Sequence, residues 1–257
     1  MELNIKGKTA LVTGASRGIG FGAARVLAAE GVNVHLTSRT AADLESAKKI
    51  IEAESRVRVT CHACDLGAQG AAEKLAAKVG DIDFLVNNAG AIPQGTVVSL
   101  DEKTWREAWD LKVWGFINLT REYYARMAKK QSGVIVNIIG AAGERHSSAY
   151  IAGSMGNASL MALSRALGAD SHKDGIRVVG INPGAIETDR QVVRWRARAE
   201  KELGSAERWR ELVTGFPFKR LGTVDEIANM VAFLCSDCSG YTTGCVITID
   251  GGASHQK

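Results

Sequence analysis

Short apolar segments alternate with longer helical patterns along the whole chain, and this alternation restricts the fold more than any other feature. Apolar residues on both faces of a short strand are typical of parallel strands buried between two layers of helices. The sequence therefore predicts an α/β fold in which a doubly wound, seven-stranded parallel sheet carries helices on both faces. The predicted strands lie in KTALVTG, VNVHLTS, VRVTCHAC, IDFLVNNAG, GVIVNIIG, IRVVGINPG and CVITIDGG.

Helical patterns fill the intervals between these strands. No linker, repeat or low-complexity segment interrupts them, so residues 1–257 are predicted to form one domain. Helices are expected at residues 18–30, 42–54, 68–79, 101–129, 190–214 and 224–234, and within 147–168.

Charge and hydropathy limit the location and the partners of the protein. Lys and Arg number 32 against 28 Asp and Glu, and a formal net charge of +4 gives no support to nucleic-acid binding. No apolar run reaches membrane-spanning length, and the first residues lead into a strand without a signal-peptide pattern. We therefore expect a cytoplasmic protein that binds neither nucleic acid nor membrane.

Five cysteines include two Cys-x-x-Cys pairs, Cys61/Cys64 and Cys235/Cys238. The first pair falls on a strand, where Cys61 and Cys64 point to opposite faces, and the second lies at a helix end. Free thiols in a reducing compartment are therefore predicted rather than zinc ligands, and no metal site is expected.

The segment TGASRGIG, residues 13–20, joins the first strand to the first helix. Gly14 permits a sharp turn, Gly18 lets the backbone approach a diphosphate, and Gly20 allows close packing of helix on strand. The helix N-terminus then presents free N–H groups to phosphates. This loop predicts a dinucleotide site.

The end of the second strand indicates which dinucleotide is bound. It reads LTSRT, with Ser38 and Arg39 where a carboxylate would hold the ribose of NAD(H), and Arg17 lies in the glycine loop. Two guanidinium groups near the ribose favour a 2′-phosphate, so NADP(H) is predicted over NAD(H). The alternative is that Arg39 is a solvated loop cation.

The chain resembles the short-chain dehydrogenases/reductases over nearly its whole length. The resemblance rests on TGASRGIG, on NNAG at residues 87–90, on INPGAIETD, and on FKRLGTVDEIANMVAFLCSD with TTGCVITIDGG. It implies a single-domain Rossmann fold, a homo-oligomer (tetramer or dimer), and hydride transfer between NADP(H) and a carbonyl or alcohol. The cofactor-binding residues expected from the glycine loop, the second strand and this resemblance are Gly14, Ser16, Arg17, Gly18, Ile19, Gly20, Ser38, Arg39, Asp65, Leu66, Asn88, Ala89, Gly90, Pro183, Gly184, Ile186 and Thr188.

The four residues that usually carry proton transfer in this family are substituted. Matching the chain without gaps on both sides places Gly153 at the tyrosine position, Asn157 at the lysine position and Gly140 at the serine position. Lys112 stands at the asparagine position. A second register keeps Tyr150 as the phenol, but it needs compensating insertions and deletions around a packed helix and still lacks the lysine.

Two side chains are candidate replacements. Lys112 brings an ammonium that could stabilise a developing oxyanion, and Tyr150 lies just before the helix and could turn its phenol toward the nicotinamide. Glu144, Arg145 and His146 lie in the loop above the site. The alternatives are a structural ion pair for Lys112, core packing for Tyr150 and a solvated turn for the loop. The glycines at 140, 153 and 156 have a further interpretation, as space for a bulky substrate.

Residues 188–216 are expected to form a helical lid over the substrate. Residues 190–220 contain nine Lys or Arg and four Glu. This excess leaves two interpretations open. One is a solvated amphipathic helix pair, and the other is an anionic small-molecule substrate, such as a carboxylate or an acyl coenzyme A thioester, with Trp195 and Trp209 closing the lid.

Three functional hypotheses remain open. The first is an NADP(H)-dependent oxidoreductase with an atypical active site. The second is a non-catalytic NADP-binding sensor, or a subunit paired with an active relative. The third keeps the fold but carries out different chemistry, such as an elimination.

Overall fold

Seven parallel strands form one sheet in the order β3-β2-β1-β4-β5-β6-β7. The computed structural model describes residues 1–256. The order reverses between β1 and β4, the switch point at which doubly wound folds bind ligands. The predicted fold class is confirmed. The strands are β1 Thr9–Thr13, β2 Asn33–Ser38, β3 Val59–Ala63, β4 Phe84–Asn87, β5 Gly133–Ile138, β6 Ile176–Pro183 and β7 Val246–Ile249.

Helices cover both faces of this sheet because successive strand residues point to opposite sides. In β1, Ala10 and Val12 belong to the apolar core on one face of the sheet, whereas Leu11 belongs to the core on the opposite face. The helices are α1 Gly18–Ala29, α2 Ala41–Glu54, α3 Ala71–Val79, α4 Glu102–Trp109, α5 Gly115–Lys130, α6 Ile151–Asp170, α7 Asp189–Leu203 and α8 Val224–Cys235.

Two predicted helices are interrupted. The long helix expected at 101–129 is broken by a π-helical turn, Asp110–Trp114, which separates α4 from α5. The helix expected at 190–214 ends at Leu203, because Gly204 adopts a left-handed conformation with φ of 71°, and a 3₁₀ helix, Ala206–Val213, follows. The first interruption places Lys112 in a turn where backbone hydrogen bonding is irregular, as is common near functional sites.

The segment expected as a lid, formed by α7 and the 3₁₀ helix, packs around its own small apolar cluster. Trp209 is buried there with Ala199 and Val213, and Trp195 meets Phe216 edge to face with ring centroids 5.7 Å apart. Neither tryptophan lines the cavities described below, so both pack within this segment and not against the cavities.

None of the helices within residues 1–256 combines the length and the apolar character needed to span a bilayer. All five cysteines are free. Cys61 packs toward α2 and Cys64 toward α3, on opposite faces of the sheet as predicted.

Candidate active site

The glycine-rich loop is tied to the end of β4 by side-chain hydrogen bonds. Thr13 Oγ1 accepts the backbone N–H groups of Asn88 (2.8 Å) and Ala89 (2.9 Å), and Asn88 Nδ2 donates to the carbonyl of Thr13 (2.9 Å). Gly14 has a φ of 63°, and a Cβ on Gly20 would overlap the carbonyl oxygen of Gly14. The loop is therefore held in a conformation that only glycine permits at these two positions.

The first helix begins directly after this loop with its N-terminal N–H groups free of side-chain caps. No side chain caps α1, and its first turn contains no acidic residue. Together with the positive end of the helix dipole, these donors form a place for a phosphate group.

A cavity of about 770 Å³ extends from the glycine loop to the end of β2. Arg17 and Arg39 lie in its wall, are exposed, and form no ion pair within the described residues. Ser38 Oγ is buried there without a hydrogen-bond partner among residues 1–256. A buried hydroxyl without a partner, beside two unpaired guanidinium groups, fits a ligand phosphate. Asp43 contributes a carboxylate to the same wall, which the sequence did not indicate.

Nine more of the predicted cofactor-binding residues line this cavity, and three others line the next one. Gly20 and Asp65 line neither cavity: Gly20 packs against Gly14, and the Asp65 carboxylate accepts the N–H of Gly67 (3.1 Å). The nine are Gly14, Ser16, Gly18, Ile19, Leu66, Asn88, Ala89, Gly90 and Thr188, and the three are Pro183, Gly184 and Ile186.

A second cavity, of about 530 Å³, continues from the first along the carboxyl ends of the strands. Ile19, Gly90 and Thr188 belong to both walls, so the two form one cleft. Lys112 and Tyr150 line the second part. The predicted cofactor-binding residues that line a cavity and the two candidate proton-transfer residues therefore lie along one cleft at the switch point of the sheet.

Lys112 is 8% exposed and lies in the π-helical turn. Its Nζ donates to the carbonyl oxygens of Ile138 (2.9 Å) and Ile139 (3.1 Å), at the end of β5, and lies 4.5 Å from the centroid of the Phe116 ring. Burial lowers the pKa of Lys112 to about 7. No carboxylate within the described residues pairs with it, so the structural ion pair is ruled out there.

Tyr150 precedes α6 and covers Gly153 with its ring. A Cβ on Gly153 would overlap the ring carbons of Tyr150, so the ring fills the space that a larger residue would enter. Burial raises the pKa of the Tyr150 phenol, although the charges of Arg190 and Arg194 act in the opposite direction. The phenol therefore keeps its proton at neutral pH and has an O–H group that can donate a hydrogen bond to a ligand.

Gly140 and Asn157 are matched to each other in the same way. Gly140 has a φ of 137°, and its carbonyl accepts a hydrogen bond from Asn157 Nδ2 (3.3 Å). A Cβ on Gly140 would lie 2.9 Å from that nitrogen. Gly156, in turn, faces Val113 and Trp109. The interpretation of these glycines as open space for a bulky substrate is therefore wrong at Gly153 and Gly156, where neighbouring side chains occupy the space.

The charged residues of the loop after β5 differ in whether they line the second cavity. The Glu144 carboxylate is held by Asn182 Nδ2 (3.2 Å) and Thr248 Oγ1 (2.8 Å) and does not line the cavity. Arg145 lines it and donates to the carbonyl of Ala253 (3.2 Å), whereas His146 does not line it.

Sequence reasoning did not single out Arg190, Arg194, Asp250 and Ser254, which all line the second cavity. The spacing of the two arginines, four residues apart on a predicted helix, is a signal that could have found them. Asp250 and Ser254 follow the last strand in a segment without periodicity, where no such signal exists.

Comparisons with known proteins give matches over nearly the whole chain. The enoyl-(acyl carrier protein) reductase family matches residues 14–254. The 3-oxoacyl-[acyl-carrier-protein] reductase of Escherichia coli is 31% identical over 97% of this chain and 98% of its own length. L-sorbose reductase from Gluconobacter frateurii, solved with NADPH and L-sorbose, superposes with a TM-score of 0.92 at 28% identity, over all of both chains. An NAD⁺-bound xylitol dehydrogenase gives a TM-score of 0.86 at 26% identity, over 97% of this chain and all of its own.

Proposed function

The chain belongs to the short-chain dehydrogenase/reductase family, and from this we propose that it is an NADP(H)-dependent oxidoreductase of a carbonyl or alcohol compound, with an atypical set of proton-transfer residues. One observation carries the proposal: a continuous cleft runs from Arg39, past the glycine loop, to Lys112 and Tyr150. Such a cleft accommodates a dinucleotide along the switch point and leaves room for a substrate at the far end.

NADP(H) is preferred to NAD(H) because of the charges at the end of β2. Arg17 and Arg39 would bind the 2′-phosphate, and the buried Ser38 hydroxyl would gain a partner. When bound, NADP(H) supplies or accepts the hydride. The L-sorbose reductase structure with NADPH supports this preference, whereas the NAD⁺-bound xylitol dehydrogenase shows that the fold also serves the other cofactor.

Lys112 is the better proton donor of the two candidates. A general acid works best when its pKa lies near the operating pH, and burial brings the Lys112 pKa to about 7 while it raises that of Tyr150. Two of the three ammonium hydrogens are donated to main-chain carbonyls, and the third is free for a substrate oxygen. In reduction Lys112 gives its proton to the developing alkoxide, and in oxidation neutral Lys112 accepts the alcohol proton. Tyr150 orients the oxygen by a hydrogen bond.

The second candidate function, a non-catalytic NADP-binding sensor or subunit, is favoured by a different observation. Gly140, Gly153 and Asn157 supply no titratable group where the family has its usual relay, and their neighbours pack tightly against them. Under this hypothesis the cofactor binds and no substrate is converted.

Cofactor titration tests the binding half of the proposal. We expect NADPH, followed by its fluorescence, to bind more tightly than NADH, and Arg39→Gln to weaken NADPH binding about tenfold while leaving NADH unchanged. Arg56→Gln is the matched control, since Arg56 is exposed and lies outside the cleft. Tighter binding of NADH by the native chain would contradict the preference.

A turnover screen tests the catalytic half. Ketones, quinones and 3-oxoacyl thioesters are offered with NADPH to the native chain and to Lys112→Met and Tyr150→Phe variants. We expect Lys112→Met to lower the reduction rate at least a hundredfold and Tyr150→Phe to lower it less. Tight NADPH binding with no turnover of any compound would favour the sensor; full activity in both variants would show that other residues transfer the proton.

We also propose that the protein works as a homo-oligomer in the cytoplasm. Trp114 (52% exposed) and Met155 (49% exposed) place large apolar side chains on the surface, and five free cysteines fit a reducing compartment. Light scattering should give a mass of two or four times 27.4 kDa; a monomer at micromolar concentration would contradict the assembly.

A further inference from the structure

The arginines of the lid segment and of the four residues that follow it fall into two groups. Five of the seven between residues 190 and 220 form ion pairs with glutamates: Arg196–Glu207, Arg198–Glu202, Arg208–Glu211, Arg210–Glu187 and Arg220–Glu226. The other two, Arg190 and Arg194, form no ion pair within residues 1–256. Glutamates thus pair with five of the seven arginines, and Arg190 and Arg194 are the two arginines that remain without an ion pair in the described residues.

Arg190 and Arg194 are also the two lid arginines that line the cleft. They lie four residues apart near the start of α7, on one face of the helix, and both line the wall of the cofactor cavity and that of the substrate cavity. Tyr150 lines the substrate cavity together with them. Burial lowers the pKa of Arg190, and the like charges of Arg194 and Arg17 lower it further.

The other charges of the substrate cavity do not neutralise this pair. Arg145 and Lys112 add two positive groups to its wall. Its single carboxylate, Asp250, accepts the backbone N–H groups of Gly252 (2.8 Å) and Ser254 (2.6 Å). Four positive groups against one carboxylate leave the wall of this cavity with a net positive charge, which favours a bound anion.

We propose that Arg190 and Arg194 bind an oxyanion group, a carboxylate or a phosphate, of the substrate. The forked guanidinium donors match both oxyanions. This inference rests on the proposed function, and it narrows the substrate to a carbonyl or alcohol compound that carries its own negative charge. The cavity of about 530 Å³ also has to receive the reactive end of the cofactor, so a compact acid fits better than a whole coenzyme A thioester.

The inference is tested by binding to the protein saturated with NADP⁺, because an oxidised cofactor cannot reduce a keto acid probe. The probes are 2-oxobutanoate, 3-oxobutanoate, its methyl ester and inorganic phosphate, measured by calorimetry. We expect at least one anion to bind the native chain and the neutral ester to bind at least tenfold more weakly. Arg190→Gln and Arg194→Gln should each lower the affinity for the anion about tenfold and leave the affinity for NADP⁺ unchanged. Arg196→Gln removes an equal charge from the same helix, at a residue paired with Glu207, and should have no effect.

Three results would overturn the inference: no anion binds the native chain, the control weakens binding as much as the test variants, or NADP⁺ affinity falls in parallel with that of the anion. The last would assign the two arginines to the cofactor phosphates. If the native chain binds no NADP⁺ at all, the proposed function fails instead, and the same titrations on the protein alone still decide whether these arginines bind an anion.

Discussion

The replacement of Lys112 by methionine should remove a pH dependence from the stability of the protein. Methionine keeps the unbranched apolar stem of the side chain, which covers Gly90, and removes the ammonium. In the native chain, burial lowers the pKa of this ammonium to about 7, from the ordinary value of 10.5 that it regains on unfolding. Between these two values the unfolded chain binds more protons than the folded one, so the unfolding free energy rises with pH.

The size of the effect follows from the two pKa values. Above pH 7 the contribution of Lys112 approaches about 1.4 kcal/mol per pH unit, which amounts to about 2 kcal/mol between pH 7 and pH 9. Below pH 7 the lysine is protonated in both states and contributes no slope. The free energy of unfolding of the native chain minus that of Lys112→Met should therefore be flat below pH 6.5 and increase by about 2 kcal/mol from pH 7 to pH 9.

Urea denaturation of the cofactor-free protein at pH 6, 7, 8 and 9 measures this difference, and the contributions of all other groups cancel in it. Lys103→Met is the control, because Lys103 has a side chain 84% exposed and lies on the neighbouring helix. A difference that stays constant from pH 7 to pH 9 would show that Lys112 keeps an ordinary pKa. It would then be charged throughout this range and could not exchange a proton near neutrality.

Three further predictions concern the site and the glycine loop. Gly153→Ala should destabilise the fold by about 1–3 kcal/mol, because the added methyl group overlaps the ring of Tyr150. When Tyr150 is also replaced by alanine, the Gly153→Ala change should lower the free energy of unfolding much less than it does in the native chain. Strictly additive effects of the two substitutions on the free energy of unfolding would contradict the contact. Tyr150→Phe should leave the shape of the pH–rate profile between pH 6 and 9 unchanged, because burial raises the phenol pKa above its ordinary range; loss of an ionisation in that interval would assign the proton to Tyr150. Gly20→Ala should weaken NADPH binding more than tenfold, because its Cβ overlaps the carbonyl of Gly14, as fluorescence titration would measure; native affinity would show that the loop tolerates a side chain.

The fold was predictable because its signals are local and repeated. Buried parallel strands are apolar on both faces, glycines mark the turns, and the glycine loop after β1 locates the cofactor cleft. The positions of Arg39 at the end of β2 and of Arg17 in the glycine loop followed from the same strand pattern, and both side chains lie in the wall of the first cavity.

The chemistry of the second cavity was less predictable because it depends on contacts between distant or unusual elements. The carbonyls that hold Lys112 lie 26 and 27 residues further along the chain, and no local signal marks the π-helical turn that places its side chain there. The sequence placed a glycine at position 153 but could not show that the ring of Tyr150, three residues earlier, fills the space beside it. A count of the charges in the lid segment treats all arginines alike, so it could not show that Arg190 and Arg194 lack the glutamate partners that the neighbouring arginines have.

A crystal structure of the complex with NADP⁺ tests the central claim most directly. We expect the adenosine 2′-phosphate to lie between Arg17 and Arg39. The nicotinamide C4 should face a space in which a substrate oxygen would lie within hydrogen-bonding distance of both Lys112 Nζ and Tyr150 Oη. A nicotinamide ring bound away from Lys112, or a 2′-phosphate without contact to either arginine, would contradict the account.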